Sequence, residues 1–338
     1  MKTNKQKLGL VLAGGAAKGA YQSGALKYIA ELGLVPDMIA GTSIGALNGA
    51  VLSSYQPFPD AVKRLNKFWY KIAQTKILRL NKSTIINRAV RPFLSELQTW
   101  MFDILIEQGI FPDCEAIFDP APIDKLLREA VNANELRKGI ELWATVFPSL
   151  EIPGLGYSFL INLVRARTGT DAHWLRVQDC IDNETIYNLL LASAALPLAF
   201  PSRNINEQTY VDGFLGDNIP LKALVNEGCT HAIVIHLDNG ETWNRYDFPN
   251  QIIIEIRPEK LITKQGLPIV NLLDTAFDFT YERIKELEKR GYEDAQRCLN
   301  PIIEAFSIIK EQRQTEIKLI KSTEFLLNDL PLEKDDNE

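Results

Sequence analysis

Short apolar runs recur along the chain and predict the strands of a sheet. Leu8–Ala13 and Glu141–Phe147 are almost entirely apolar, as is typical of strands that are buried on both faces. Further strands are predicted at Val35–Ala40, Trp174–Val177, Ala232–Leu237 and Gln251–Ile256. Apolar positions at helical spacing over Ala20–Leu32 predict a helix between the strands Leu8–Ala13 and Val35–Ala40. This strand–helix–strand order predicts parallel strands with right-handed crossovers.

Helical spacing also predicts the later helices. They lie at Ala61–Ile72, Val90–Ile106, Ile123–Val131 and Asn183–Ala195. Within the second of these, Trp100–Ile106 is unusually apolar. We expect this piece to pack on the core, and the alternative is a cap that lines a pocket or touches a membrane surface.

The end of the chain has a different composition. From Pro268 onward the sequence is helical and charged, and we predict one helix over Pro268–Leu299 and a second over Asn300–Leu327. The tail at 333–338 is acidic and is expected to be disordered. We expect the helices to flank the main domain, and a role in oligomerisation or membrane docking stays open.

One turn carries candidate chemistry. Met38–Ala40 leads into Gly41-Thr42-Ser43-Ile44-Gly45, a G-x-S-x-G pattern that is followed by a helix rich in small residues. A serine at a tight strand-to-helix corner has strained backbone and an outward hydroxyl, and Gly41 and Gly45 leave room for the chain to cross itself. The N-terminus of the helix favours negative charge there. Ser43 is therefore a candidate nucleophile that still needs an oxyanion hole and a base.

Two other segments offer those missing parts. The glycine-rich loop Gly14–Gly19 matches neither the G-x-x-x-x-G-K-[ST] nor the G-x-G-x-x-G pattern of nucleotide sites. Parallel α/β order puts this loop beside Ser43, where its backbone N–H groups suit a tetrahedral oxyanion. Asp212-Gly213 ends a short apolar segment and places a carboxylate at a cleft, with an ordinary Asx turn as the alternative.

Composition narrows the classes of function. The 338 residues are 46% apolar and 24% charged, as in an ordinary globular protein. A net charge of −6 argues against nucleic acid as a partner and against strong adhesion to anionic lipid. The four cysteines form no C-x-x-C pair, so we expect reduced thiols and no metal site. They are Cys114, Cys180, Cys229 and Cys298.

The start of the chain resembles a secretory signal, because a basic segment precedes the apolar stretch Leu8–Ala20. We reject that interpretation, since Gly14, Gly15 and Lys18 interrupt the run. No run of 18 apolar residues exists, so no transmembrane helix is expected. We expect a cytoplasmic protein, with peripheral contact at the inner membrane surface left open.

The order of Gly14–Gly19, Gly41–Gly45 and Asp212-Gly213 resembles the patatin-like phospholipase family. The likeness extends to Asp119–Ile123, Ala192–Pro197 and Asp217–Pro220. It covers about 8–238 and implies a three-layer α/β/α fold with a mainly parallel central sheet, related to the α/β-hydrolases. The implied domain is 5–260, with a cap-like insertion around 57–135 and a C-terminal helical extension at 268–328.

The resemblance also implies a serine–aspartate dyad. Ser43 is then the nucleophile, Asp212 is the base, and the backbone N–H groups of Gly14, Gly15 and Ala16 form the oxyanion hole. Supporting positions are Lys18, Gly19, Gly41, Gly45 and Gly213. The implied substrate is a phospholipid or another acyl-ester lipid, and neither a metal nor a cofactor is required.

Two residues depart from the family pattern. Ala16 stands where the family has glycine; it keeps its N–H, so the oxyanion hole survives if its φ is negative. Phe214 stands where the family has a small residue, and it narrows the cleft or belongs to an acyl pocket.

Two alternatives stay open. A Ser–Asp–His triad with His231 or His236 matches the chain order of the α/β-hydrolases. However, His236 lies inside a buried strand pattern and His231 begins that strand. The other alternative is a catalytically silent lipid-binding scaffold on the same fold. We expect His173, the third histidine, to be structural or superficial.

Overall fold

The structure is a computed structural model. It describes residues 6–75, 77, 116, 118–150, 169–197, 199–238, 243–262 and 277–328. The predicted helix Val90–Ile106, with its apolar piece Trp100–Ile106, lies outside the described residues. Cys114 and the acidic tail at 333–338 also lie outside them.

One mixed sheet forms the centre of the described chain. Its strands are β1 Leu8–Leu12, β2 Met38–Thr42, β3 Glu141–Pro148, β4 His173–Arg176, β5 Arg203–Ile205, β6 Gln208–Asp212, β7 His231–Ile235 and β8 Ile252–Ile256. Their order is β5-β6-β3-β2-β1-β7-β8, and β4 also pairs with β3. The run from β3 to β8 is parallel, whereas β4, β5 and β6 pair antiparallel. The predicted mainly parallel sheet is confirmed, and an antiparallel edge is added to it.

Helices flank this sheet, as expected for three α/β/α layers. They are α1 Ala20–Glu31, α2 Ile44–Ser53, α3 Phe58–Gln74, α4 Ala121–Ala130, α5 Ala133–Leu136, α6 Asn183–Ser193, α7 Leu221–Asn226 and α8 Tyr281–Asn328. Short 3₁₀ turns lie at Ala16–Gly19, Val177–Asp179, Gly213–Leu215 and Arg245–Asp247. No helix among the described residues is long and apolar enough to cross a membrane.

A chain of buried polar side chains joins three of these helices. The Trp69 Nε1–H of α3 donates to Asn48 Oδ1 of α2 at 3.1 Å, and Asn48 Nδ2 donates to Gln22 Oε1 of α1 at 2.8 Å. All three side chains are buried, so each bond also avoids the cost of leaving a polar atom unpaired. Although α3 begins inside the predicted cap-like insertion, it thus packs within the helical layer.

The C-terminal helix corrects one prediction. Instead of two helices divided at Asn300, α8 is a single helix with Pro301 inside it. A proline inside a helix removes one hydrogen bond and crowds the carbonyl four positions earlier, at a cost of about 3 kcal/mol or more. The helix nevertheless continues through Pro301. The chain forms two compact units, residues 1–295 and 296–338, and α8 begins in the first.

Glycines let the first part of α8 approach α1 closely. A Cβ added at Gly24 would lie 1.8 Å from the Glu288 carbonyl oxygen, and one at Gly291 would lie 1.9 Å from the Tyr21 carbonyl oxygen. The Tyr21 hydroxyl also donates to Asp294 at 2.9 Å. Helix α1, which follows the glycine-rich loop directly, is therefore locked against α8.

Candidate active site

Ser43 lies at the corner between β2 and α2. Its φ of 56° and ψ of −124° are rare for a residue with a side chain. The flanking glycines permit this corner: a Cβ at Gly41 would lie 2.5 Å from the Gly45 carbonyl, and one at Gly45 would lie 2.1 Å from the Leu12 carbonyl oxygen. The structure thus has the strained strand-to-helix corner that the G-x-S-x-G pattern predicts.

Asp212, at the end of β6, contacts this serine directly. Ser43 Oγ donates to Asp212 Oδ2 at 2.7 Å, and the Phe214 N–H donates to Oδ1 at 2.9 Å. The second bond is the Asx turn that was the alternative interpretation of Asp212-Gly213. The turn fixes one carboxylate oxygen and leaves the other for Ser43, so the Asx turn does not exclude a role for Asp212 as a base.

Burial controls the ionisation of this carboxyl group. Asp212 is 1% exposed, and this burial raises its pKa from 3.8 to about 7, against the opposing effect of its bonds from Phe214 and Ser43. A group with a pKa near neutrality both accepts and returns a proton readily at neutral pH. The weakness of a carboxylate as a base towards a hydroxyl is thereby reduced.

A second serine, Ser193 at the end of α6, fixes the backbone of the corner. Its Oγ accepts from the Ser43 N–H at 3.0 Å and donates to the Thr145 carbonyl oxygen at 2.7 Å. This buried hydroxyl bridges the corner to β3. Ser193 lies in the segment Ala192–Pro197 that resembles the family, but the sequence alone does not predict its role.

The glycine-rich loop lies beside Ser43, as predicted. A Cβ at Gly14 would lie 3.2 Å from the Ser43 Cβ. However, the Gly14 N–H donates to Asn218 Oδ1 at 2.9 Å. Among the hydrogen bonds of the described residues, none uses the N–H of Gly15 or Ala16. Of the three predicted donors, Gly14 is therefore occupied within the protein.

Ala16 does not have the negative φ on which its role as a donor was expected to depend. Its φ is 49°, in the left-handed region. The loop leaves β1 and enters a 3₁₀ turn at once, with the Lys18 N–H bonded to the Gly15 carbonyl at 3.1 Å, and this tight turn requires the unusual φ. An alanine at this φ is destabilised by about 1–2 kcal/mol, whereas a glycine adopts it without that cost. The Ala16 N–H belongs to the preceding peptide unit and remains present.

The Lys18 side chain supports the loop from behind. It is buried, and burial lowers its pKa, although Asp238 acts in the opposite direction. Its Cε lies 3.1 Å from the place where a Cβ on Gly15 would stand. When it is protonated, the Lys18 ammonium favours negative charge in this part of the structure.

The other supporting glycines lie where no side chain fits. A Cβ at Gly19 would lie 2.6 Å from Ile44 Cγ1, and one at Gly213 would lie 2.4 Å from the Thr145 carbonyl oxygen. These contacts draw the glycine-rich loop against α2 and draw the Asp212 turn against β3. The predicted glycines therefore have a packing reason for lacking side chains.

Asp217 holds the segment that presents Asn218. Trp174 Nε1–H donates to Asp217 Oδ2 at 2.9 Å, and the Ile219 N–H donates to Oδ1 at 3.0 Å. Thr42, the neighbour of Ser43, donates its hydroxyl to the Asp217 carbonyl at 2.9 Å. Burial raises the pKa of Asp217. The sequence alone does not predict these contacts.

The three histidines form hydrogen bonds with residues other than Ser43 and Asp212. His231 begins β7 and therefore lies at the opposite end of the parallel strands from Ser43. Its Nδ1 lies 2.9 Å from Thr230 Oγ1. His236 follows β7 and its Nε2 lies 3.0 Å from Glu255 Oε2. His173 is exposed, with Nδ1 3.3 Å from the Tyr210 hydroxyl. The cysteines within the described residues, Cys180, Cys229 and Cys298, are free thiols, as predicted.

Comparisons with known proteins assign the chain to a family. The family profile of the patatin-like phospholipases matches residues 10–225, and the chain belongs to this family. A patatin-like phospholipase domain-containing protein of Caenorhabditis elegans is 31% identical over 153 residues, covering 44% of this chain and 13% of that protein. The lysophospholipase nte1 of Aspergillus terreus is 44% identical over 61 residues, covering 18% of this chain and 4% of the relative. The chain thus spans a small part of these relatives.

The solved structures that the chain matches are more distant in sequence. VipD from Legionella pneumophila is 14% identical, with a TM-score of 0.43 over 88% of this chain and 67% of VipD. Human GIVD cytosolic phospholipase A2 is 9% identical, with a TM-score of 0.42 over 88% of this chain and 60% of that protein.

Proposed function

We propose that this protein is a lipid acyl hydrolase that cleaves carboxylic esters through Ser43 and Asp212. The observation that carries the proposal is the 2.7 Å hydrogen bond from Ser43 Oγ to the buried Asp212 carboxylate. Membership of the patatin-like phospholipase family supports a lipid ester as the substrate class.

In the first half of the proposed reaction, Asp212 accepts the proton of Ser43 while Oγ attacks the ester carbonyl carbon. The carbonyl oxygen becomes an oxyanion. Collapse of the tetrahedral species breaks the bond to the alcohol oxygen, which leaves with the proton held by Asp212. An acyl group then remains on Ser43.

In the second half, water attacks the acyl-enzyme and gives its proton to Asp212. Collapse of the second tetrahedral species releases the carboxylic acid, and Asp212 returns the proton to Ser43 Oγ. A carboxyl group with a pKa of about 7 suits both directions of this transfer. The cycle is complete with these two residues and water.

We propose Gly15 and Ala16 as the oxyanion donors. The Gly14 N–H is bonded to Asn218 and the Ser43 N–H is bonded to Ser193, so neither is free to turn towards an oxyanion. Preorganised N–H groups contribute most to catalysis when they need no rearrangement during the reaction. In this arrangement Asn218 positions the loop and does not contact the substrate.

We propose phospholipid or lysophospholipid acyl esters as substrates, reached by transient contact with a membrane surface. Two relatives are named lysophospholipase and neuropathy target esterase, which supports a single-chain acyl ester among the candidates. Phe214, adjacent to the base, is 52% exposed and offers an apolar contact to an acyl chain. We expect Phe214→Gly to change chain-length preference more than turnover of a short ester.

The test combines labelling with hydrolysis. A fluorophosphonate should add to Ser43, and fatty acid should be released from a panel of phospholipids, lysophospholipids and short-chain esters. Ser43→Ala and Asp212→Asn should abolish release while the far-UV circular dichroism stays unchanged. His231→Ala with His236→Ala should keep activity.

Each other result selects an alternative. Loss of activity in a folded double histidine variant would establish the triad. If Ser43 is not labelled and no ester is hydrolysed, the remaining interpretation is a catalytically silent lipid-binding scaffold. Full activity of Asp212→Asn would exclude Asp212 as the base.

A further inference from the structure

Two buried amide side chains hold the glycine-rich loop Gly14–Gly19 at its two ends. Gln22 Nε2, in the first turn of α1, donates to the Ala13 carbonyl oxygen at 2.8 Å. Asn48 Nδ2, on α2, donates to the Gly19 carbonyl oxygen at 3.1 Å. Ala13 comes directly before the loop, and Gly19 is its last residue. The two bonds therefore fix the points at which the loop begins and ends.

The same two side chains are the centre of one chain of hydrogen bonds with a fixed direction. Trp69 Nε1–H donates to Asn48 Oδ1, and Asn48 Nδ2 donates to Gln22 Oε1. An indole N–H only donates and a backbone carbonyl only accepts. The indole at one end requires the Asn48 oxygen to face it, and the Ala13 carbonyl at the other end requires the Gln22 nitrogen to face it. The orientation of each amide is therefore determined from both ends of the chain.

Burial makes this chain a rigid support for the loop. Gln22 and Asn48 are both 0% exposed. A buried amide that loses its partner bears the full cost of desolvation, so neither side chain can turn away without leaving polar atoms unpaired. The Gly14 N–H is held separately by Asn218. Bonds from outside the loop thus hold its backbone on both sides of Gly15 and Ala16.

We propose that Gln22 and Asn48 are positioning residues, which act on the reaction through the loop. By fixing its two ends, they hold the N–H groups of Gly15 and Ala16 where the oxyanion forms. Donors contribute most when they need no rearrangement during the reaction, and a displacement of about 1 Å costs about a hundredfold in rate. This role rests on the proposed function, because it concerns the same loop. Neither side chain reaches solvent, so both act without contacting the substrate.

The kinetics of Gln22→Met test the proposal. Methionine has a similar length and fills the same space, but it cannot donate to the Ala13 carbonyl. We expect kcat for a short-chain ester to fall about tenfold or more while KM stays within about threefold, because the loss lies in the transition state. Labelling of Ser43 by a fluorophosphonate should slow by a similar factor, since the phosphoryl oxygen needs the same donors.

Gln178→Met is the matched control. Gln178 also bridges backbone groups, because its Nε2 donates to the Ile140 carbonyl oxygen at 3.0 Å and its Oε1 accepts from the Leu142 N–H at 3.1 Å. These contacts lie near the amino end of β3, away from Ser43. We expect this variant to lose stability, as Gln22→Met does, but to keep kcat within about twofold at temperatures where both proteins are folded.

A double substitution tests whether the two amides act as one unit. Asn48→Leu has nearly the same shape as wild type, removes the bond to Gly19 and also serves if Gln22→Met does not fold. Because the two side chains share one chain of bonds, the double variant should lose no more than about twofold beyond the weaker single variant. Single effects that multiply would show that the two act independently and would overturn the shared chain.

The pH profile separates the loop from the Ser43–Asp212 pair. Tryptophan, asparagine and glutamine do not titrate in this range. The kcat/KM of Gln22→Met should therefore lie below that of wild type by the same factor at every pH, with the same limb near pH 7 that Asp212 produces. A limb that moves to another pH would place the effect on Asp212 and overturn the proposal.

Hydrogen exchange tests the positioning without any need for activity. The Gly14 and Lys18 N–H groups are hydrogen-bonded. Exchange of residues 14–19, followed by mass spectrometry, should become about tenfold faster in Gln22→Met and stay unchanged in Gln178→Met. If wild type neither labels nor hydrolyses an ester, the proposed function fails, and exchange alone decides whether the amides hold the loop. Unchanged exchange in Gln22→Met, or an unchanged kcat in an active enzyme, overturns the proposal.

Discussion

Replacing Asp212 by asparagine should separate the chemical role of this carboxyl group from its effect on stability. Asparagine has nearly the same shape, its oxygen still accepts from the Phe214 N–H, and its amide donates to Ser43 Oγ. Only the negative charge is lost. We expect turnover to disappear, because no group remains to accept the serine proton, and the folded state to become more stable.

The size of the gain follows from the pKa of Asp212, which burial raises from 3.8 to about 7. Between about pH 4 and pH 7 the unfolded chain releases this proton while the folded chain keeps it. The free energy of unfolding therefore falls by up to about 1.4 kcal/mol for each pH unit in this range. The accumulated cost is about 4 kcal/mol above pH 7. Asparagine does not carry this cost. The free energy of unfolding of Asp212→Asn should therefore equal that of wild type near pH 4 and exceed it by about 4 kcal/mol at pH 8.

Guanidinium unfolding followed by circular dichroism, at several pH values from about 4 to about 8, measures this advantage. Ser43→Ala, which keeps the buried carboxyl group but removes one bond to it, is the control and should show no comparable gain. The argument is refuted if Asp212→Asn is less stable than wild type at pH 8. It is also refuted if the difference between the two proteins does not change with pH.

Three further outcomes are expected. The kcat/KM for a soluble ester should fall about tenfold per unit below about pH 7, because Asp212 must be ionised to accept a proton, and a profile that stays flat to pH 5 would contradict this. Ser193→Ala should lower kcat about 10- to 100-fold with little change in KM, because the Ser43 N–H loses its buried partner. Steady-state kinetics measure both constants. An unchanged kcat would show that the corner at Ser43 keeps its geometry without this bond. Ala16→Gly should raise the free energy of unfolding by about 0.5–1 kcal/mol in denaturant titrations by relieving the positive φ, whereas Ala17→Gly, at a buried position next to it, should lower it.

The strands that sequence predicts best are those with continuous apolar runs. The central strands β1, β3 and β7 are buried in the sheet, so nearly every position in them is apolar and the pattern is unambiguous. The hairpin of β5 and β6 has no such pattern, because β5 has only three residues and one face is polar. Helix α7, with six residues, is too short for helical spacing to become visible.

The candidate site divides in the same way. Ser43 and Asp212 stand in short motifs that the sequence displays, and the structure brings their side chains together. Ser193 and Asn218 act through single contacts across 150 and 204 positions of the chain, and no local pattern records such contacts. The φ of Ala16 was also beyond prediction, because it depends on how tightly the loop turns into α1.

The pairing of β1 with β7 has a consequence for where this domain can be cut. The family match ends at residue 225, yet β7 and β8 come later in the chain and cover the side of β1 away from β2. A fragment stopped at 225 would expose the whole hydrogen-bonding edge of a central strand, the same strand that leads into the loop beside Ser43. The shortest autonomous fragment therefore extends at least through Ile256, and through Asp294 if the contact between α1 and α8 is to be kept.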